Sequence, residues 1–249
     1  MLNKIREQEI MNILRTQSGF VTTKSLCEQL YASESSIRRD LKALEEKGLI
    51  RRAYGGAEPV VGTQKIVTFN HRTRQNEKAK RNIAKKAAEM INNGEILFLD
   101  QSSTSFYLAS ELIRKKITVI TNNIEILVLL SDSRVHTVSS GGYLSENNKT
   151  CLIGNDAVST FDNIYADKVF FSSNSISKDG IITDCDREEI IVRNTMINNA
   201  KKKIFLCDSS KYDKIAQYKQ CHLNALDVMI SEEDSVSFYK DAFPDVEML

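Results

Sequence analysis

Two stretches of the sequence bring together charged and hydroxyl-bearing residues at spacings that could do chemistry. In ILFLDQSSTS, Asp100 ends an apolar run, and Gln101, Ser102, Ser103, Thr104 and Ser105 follow it. If the run is a strand and a helix begins at the hydroxyls, that first turn offers free backbone N–H groups, side-chain donors and the positive end of a helix dipole. Together these suit a phosphate. In SSIRRDLKALEEKG, Ser35, Ser36, Arg38, Arg39 and Lys42 crowd the start of an amphipathic pattern. The planar fork of arginine can meet a phosphate, or guanine O6 and N7, in two parallel bonds. Each stretch also has a plain reading. Ser and Thr serve as helix caps, and Arg38 and Arg39 can pair with Glu34, Glu45 or Glu46 on a solvated face.

The elements that must hold the arginines are legible around them. Residues 3 to 16 put Ile5, Ile10, Ile13 and Leu14 on one face before Ser18 and Gly19 break the pattern. Thr22 or Thr23 can cap a second, short helix through Leu30, and Ser33 a third whose inner face is Ile37, Leu41 and Leu44. Gly48 is placed to end that helix. With Ile37 inward, a rotation of about 100° per residue turns Ser35, Arg38, Arg39 and Lys42 outward and Asp40 toward the core. Next, LIRRAYGGAEP predicts a hairpin that starts at Leu49 and Ile50, turns at Gly55 and Gly56, and is flanked by Arg51 and Arg52. Three helices and a hairpin make a winged helix-turn-helix, whose third helix fits the major groove. Pro59 and Gly62 mark a linker, so the expected division is a DNA-binding domain over 1–57, a linker over 58–64 and a second domain over 65–249.

In the second domain, apolar strands alternate with helices: a helix over about Glu77 to Ile91, strand ILFLD, a helix through Leu112, strand ITVIT and a helix near Ile124 to Leu130. The runs KVFFSS, KKIFLCD and LDVMIS follow, with a helix of about Glu188 to Ala200 between the first two. This predicts an α/β domain with a mostly parallel sheet covered on both faces, which binds ligands at the strand ends. Thr121-Asn122, Gly141-Gly142, Gly154 and Asp208-Ser209-Ser210-Lys211 all come just after apolar strands. Any one of them alone reads as turn residues. Their recurrence points to one shared polar crevice.

Composition bounds the possibilities. The chain has 249 residues, 41% hydrophobic, with a net charge of +1, so it can bury a core and any basic patch must be local. Its five cysteines are scattered without CxxC spacing, which supports neither a disulfide framework nor a zinc site. The segment MLNKIREQEIMNIL threads charges through its apolar positions, unlike a signal segment or a membrane span. A cytoplasmic protein with no metal, cofactor or membrane partner is expected. Proton-transfer chemistry would need a poised base. Asp100, Asp184, Glu188 and Asp208 serve equally well as hydroxyl acceptors, and His71, His136 and His222 lack the spacing of a base or ligand set.

The run SESSIRRDLKALEEKGLIRRAYGGA, from Ser33 to Ala57, resembles the N-terminal signature of the DeoR family of bacterial transcription regulators. The resemblance continues through FNHRTRQNEK and covers nearly the whole chain. Ser36 stands where the family usually has Thr, Tyr54 where it has His, and Ser102 where it has Gly. By this resemblance the DNA contacts fall on Ser35, Ser36, Arg38, Arg39, Lys42, Arg51, Arg52, Gly55 and Gly56. The second domain should then be a sensor similar in fold to ribose-5-phosphate isomerase and glucosamine-6-phosphate deaminase. Its effector contacts would be Asp100, Ser102, Ser103, Thr104, Thr121, Asn122, Gly141, Gly142, Gly154 and Lys211. Lys211 would supply charge to a phosphate and Asp100 a hydroxyl contact. The implied protein is no enzyme. It is a homo-oligomeric repressor, dimer or tetramer, of sugar-metabolism genes, which binds operator double-stranded DNA and is relieved by a phosphorylated sugar. A sugar-phosphate isomerase or deaminase with an accessory DNA-binding domain is the alternative, and an activator that needs its ligand is a third.

Overall fold

The computed structural model describes residues 2–16, 20–47, 49–59, 69–232 and 237–249. The chain divides into two compact units, 1–66 and 67–249.

The first unit runs α1 (Leu2–Thr16), β1 (Val21–Thr22), α2 (Thr23–Leu30), α3 (Glu34–Glu46), β2 (Ile50–Ala53) and β3 (Gly56–Pro59). Thr22 caps α2 by accepting from the Ser25 N–H, and Ser33 caps α3 by accepting from the Ser36 N–H. The stripe Ile37, Leu41 and Leu44 packs with Ile10, Leu14 and Leu26 into one small core. The hairpin β2–β3 is joined by β1 in the order β1-β3-β2. Glu58 and Pro59 pair with Arg51 and Ile50, which corrects the expected start of the linker: the wing's return strand extends to Pro59. Proline is tolerated there because β1 reaches only Gly56 and Ala57, so the absent N–H removes no bond on that side. Gly48 and linker residues 60–64 lie outside the described residues.

The second unit opens with α4 (Phe69–Arg74), α5 (Glu77–Glu89), β4 (Ile96–Leu99), α6 (Ser103–Leu112), β5 (Thr118–Thr121), α7 (Ile124–Leu130) and β6 (His136–Ser139). Then come β7 (Tyr143–Leu144), β8 (Leu152–Ile153), α8 (Asn155–Asp162), β9 (Ala166–Phe171), β10 (Ser175–Ile176) and β11 (Ile181–Asp184). It closes with α9 (Arg187–Asn198), β12 (Ala200–Leu206), β13 (Tyr218–His222), β14 (Val228–Ile230), α10 (Ser237–Ala242) and β15 (Glu247–Met248). Ala200, expected at a helix end, begins a strand instead, because Asn199 closes α9.

Seven strands form the main sheet in the order β15-β14-β12-β9-β4-β5-β6. All of its pairs are parallel. Strand alternation sends successive side chains to two cores. Leu97, Leu99, Ile204 and Leu206 meet α5, α6 and α7, while Phe98, Val169, Phe205 and Met229 face the side of α8, α9 and α10. Both faces are thus covered, and function is left to the strand ends. Two small antiparallel sheets, β10-β11-β13 and β7-β8, stand apart from the main one.

Candidate functional site

On α3, Ser35, Arg38, Arg39 and Lys42 are exposed, Ser36 is half-buried, and Asp40 is buried. The first turn is tied by its hydroxyls: Ser33 Oγ lies 2.9 Å from Ser36 Oγ and 3.2 Å from Ser35 Oγ. Arg38 donates to Glu34 at 2.9 and 2.6 Å, and Lys42 lies 3.9 Å from Glu46. Both are exposed pairs, which water and salt weaken. Among the described residues Arg39 has neither a hydrogen bond nor an ion pair, so its guanidinium is free for an anion.

The wing divides its roles similarly. Arg52 is held by Glu45, through its N–H at 3.2 Å and its guanidinium at 3.5 Å, whereas Arg51 has no such partner among the described residues. Gly55 sits at φ +84° with open space around its Cα, as a tip approaching a surface requires. Gly56 is different. A Cβ there would lie 2.2 Å from the Val21 carbonyl oxygen, so this glycine lets β3 pass β1 and is not placed for contact with DNA.

At the carboxyl ends of the main sheet, Asp100 is fully buried. Its Oδ1 accepts from the Ser102 N–H at 3.2 Å and the Ser105 hydroxyl at 2.6 Å. Its Oδ2 accepts from the Ser172 N–H and Arg193 Nε, both at 3.1 Å. The sugar-hydroxyl role expected of Asp100 is corrected accordingly, since both oxygens are spent inside the protein and brace the strand ends. Arg193 is buried too; it donates through Nη1 to Asp184 and Gln220 at 2.8 Å, and its Nη2 lies 3.9 Å from Glu189. Burial pulls the Arg193 pKa down, but Asp184, Asp100 and Glu189 outweigh it, and the net shift is upward. Glu189 accepts from Gln101 at 2.7 Å and Asn148 at 2.8 Å. Burial, then Asp184, raises its pKa against Arg72, Arg193 and the Asn148 bond.

Cations gather beside this network. Lys80 donates to the Arg72 and Gln75 carbonyls at 2.5 and 2.8 Å, which stitches α4 to α5. Burial, then the charge of Lys211, lowers the Lys80 pKa to about 8. Lys211 donates to the Ser172 hydroxyl at 2.5 Å and lies 3.8 Å from Asp208. Burial raises the Asp208 pKa, but Lys211, the Ser210 hydroxyl, Lys80 and Asn76 together take it below the usual value.

Seven buried polar side-chain atoms have no hydrogen-bond partner among the described residues: Arg72 Nε and Nη2, Gln101 Oε1, Thr104 Oγ1, Asn122 Oδ1, Asn123 Nδ2 and Asp208 Oδ2. Gln101, Thr104, Asn122, Asn123 and Asp208 directly follow β4, β5 and β12, and α4, which carries Arg72, is tied there by the Ser103 hydroxyl on the Arg72 carbonyl at 3.5 Å. Unmet buried polar atoms are costly and rare in a folded protein. They gather at one end of the sheet, where they could meet the polar groups of a ligand.

The other expected residues fall into place around it. Ser102 caps α6 at φ −75°, accepting from the Ser105 N–H, so its position does not require the family's glycine. Ser103 and Thr104 are buried in the first turn of α6. Thr121 Oγ1 accepts from the Asn123 N–H at 3.1 Å, and Asn122 donates to the Leu152 carbonyl at 3.1 Å. Gly141, at φ +66°, is exposed with open space. Gly142 and Gly154 are closed in by the Ile153 carbonyl and the Tyr143 ring, so the close approach they permit is that of β7 to β8. Arg72, Lys80, Gln101, Asn123, Glu189 and Arg193 were not among the expected residues. Of these, Gln101 and Arg72 lay in quoted motifs, ILFLDQSSTS and FNHRTRQNEK.

Two family models match the chain: the DeoR-like helix-turn-helix domain over residues 6–61 and the DeoR C-terminal sensor domain over residues 75–233. The repressor GlcR of Bacillus subtilis is 32% identical over 93% of this chain and 89% of its own length. The lactose phosphotransferase system repressor of Lactococcus lactis is 33% identical over 86% of this chain and 85% of its own. The L-fucose operon activator of Escherichia coli is 30% identical over 93% and 96%. Among solved structures, ribose 5-phosphate isomerase A of Methanocaldococcus jannaschii aligns over 55% of each chain at 18% identity and a TM-score of 0.42, too distant to bear on function. These relatives are named as regulators, and with the winged helix-turn-helix and the sensor unit in hand, the chain belongs to the DeoR family of DNA-binding transcriptional regulators.

Proposed function

We propose that this regulator is a repressor, released from its operator when a phosphorylated sugar occupies the carboxyl end of the parallel sheet. The observation that carries the ligand reading is the set of unpartnered buried atoms beside Lys80, Lys211 and Arg72. Donors and positive charge suit the phosphate, while Gln101 Oε1, Asn122 Oδ1 and Thr104 Oγ1 suit sugar hydroxyls. Ser102, Ser103 and the first-turn N–H groups of α6 add donors at the same end.

On α3 and the wing, Arg39 and Arg51 have no hydrogen-bond or ion-pair partner among the described residues and are free to meet DNA. Ser35, Ser36, Arg38, Lys42, Arg52 and the Gly55 backbone lie on the same two elements. One winged module makes few phosphate contacts, so useful affinity calls for at least a dimer on paired half-sites. Ligand controls DNA only if its affinity differs between the DNA-competent and DNA-incompetent arrangements. Two of the three relatives named above are repressors, which favours release over recruitment. Among the described residues no helix is long and apolar enough to cross a membrane, and we place the protein in the cytoplasm with its DNA.

The isomerase or deaminase alternative needs a carboxylate free to move a proton. Asp100 and Asp184 are bound by Arg193, and both Glu189 oxygens already accept amide hydrogens. Asp208 keeps an oxygen without a hydrogen-bond partner among the described residues, but Lys211 at 3.8 Å helps to hold its pKa below the usual value, which makes it a weak base. Calorimetry of the full chain with a panel of sugar phosphates, the matching free sugars and inorganic phosphate tests the reading. Binding of a sugar phosphate and not of its free sugar is expected. Binding of free sugars alone would overturn it.

A further inference from the structure

Asp40 is a carboxylate in a core position. The buried stripe of α3 is Ile37, Asp40, Leu41 and Leu44, spaced as an apolar helix face, and Asp40 is only 2% exposed. Its partner is Arg6 on α1, whose Nε donates to Asp40 Oδ2 at 2.5 Å. Arg6 stands four and eight residues before Ile10 and Leu14, so it continues the inward face of α1. An ion pair therefore occupies the edge of the interface where α1 packs on the DNA-facing helix.

Stability does not explain the pair. Exchanging a buried ion pair for well-packed apolar side chains is commonly neutral or stabilising. What a charge-assisted bond adds is direction: it is satisfied in a narrow range of distances and angles, whereas leucine against leucine tolerates sliding and rotation. Asp40 directly follows Arg39, the exposed arginine without a partner on α3. Fixing Asp40 against α1 fixes the rotation of α3 about its own axis, and so the direction in which Arg38, Arg39 and Lys42 leave it.

We propose that the Arg6–Asp40 pair sets the rotation of α3 and makes both members positioning residues for operator reading, without themselves contacting DNA. This rests on α3 being the helix that faces DNA. Phosphate attraction depends little on such a setting, because a swung arginine still meets a charged backbone; base contacts depend on it strongly.

The test uses the full-length chain and a duplex that the wild-type protein selects from a random-sequence pool, beside an unrelated duplex of equal length. The double variant Arg6→Met/Asp40→Leu replaces the pair with apolar side chains. It should fold with a melting temperature near that of wild type and keep the affinity and salt slope on the unrelated duplex. Its preference for the selected duplex should fall by about tenfold. A folded double variant with the wild-type preference overturns the proposal. If the double variant does not fold, Asp40→Asn decides in the same way: a reduced preference supports the proposal, and a wild-type preference overturns it. A wild-type chain that selects no sequence at all would instead remove the DNA-facing role of α3.

Discussion

Lys80 and Lys211 repel each other at the end of the parallel sheet, and after burial itself the charge of Lys211 does most to push the Lys80 pKa down to about 8. Arg72 adds to the same imbalance. Among the charges that act on Lys80, Lys211 and Arg72 stand against Asp208 alone, and an anion bound beside Lys80 would relieve that imbalance.

That relationship gives the ligand affinity a pH dependence. Below pH 8 Lys80 is charged in the free protein and affinity is at its full value. Above pH 8 an anion must draw a proton back onto Lys80, so affinity falls, by at most about tenfold per pH unit. Phosphate is dianionic across this window and does not confuse the sign. Titrations between pH 7 and 9.5 should show the fall in wild type and its loss in Lys80→Met. The free protein should also gain stability over Lys80→Met as pH rises from about 8 toward 10.5, because in that window the unfolded chain binds the proton that folded Lys80 has lost.

Lys211→Ala removes a charge from the second unit and leaves the sequence of the first unchanged. Its operator affinity should equal that of wild type, while the sugar phosphate no longer releases the DNA. An undiminished response in a gel-shift titration would remove Lys211 from the phosphate site.

The first unit separates base contacts from phosphate contacts. Arg39→Ala should cost about 1–3 kcal/mol on the operator and less on random DNA if Arg39 reads a base. Equal losses on both would leave it a phosphate contact. Arg51, unlike the Glu45-bound Arg52, has no competing partner among the described residues, so Arg51→Ala should reduce the salt slope by about 0.9. An unchanged slope would take the wing's free arginine off the DNA.

Gly141 and Gly142 both have positive φ, yet their replacement should differ in cost. A Cβ at Gly141 meets open space, whereas one at Gly142 would lie 2.2 Å from the Ile153 carbonyl oxygen. Gly141→Ala should lose about 1 kcal/mol, and Gly142→Ala clearly more, since β7 must part from β8. Urea unfolding of the two variants gives the comparison, and equal midpoints would contradict it.

Local signals made much of this legible in the sequence. The caps at Thr22 and Ser33, the outward arginines and the apolar strands each depend on neighbours a few residues away. The Arg193 network escaped because its chemistry lies between distant segments: Asp100 is 93 residues from Arg193, which stands in an otherwise ordinary helix. The two-residue strands β7, β8 and β10 likewise have too few residues for periodicity to show, and they exist through pairing alone. Asp100 shows the limit of reading by type. A carboxylate at a strand end looks the same in sequence whether it binds a ligand or braces the residues around it.

On the proposed reading, one chain holds an operator and releases it to a sugar phosphate. Fluorescence anisotropy of the selected duplex with the full-length protein, titrated with the sugar-phosphate panel while sugar turnover is followed in the same sample, tests it most directly. Release by one sugar phosphate, without its turnover, is the expected result. Turnover of a sugar phosphate that leaves the DNA bound would make the second unit an enzyme and not a sensor.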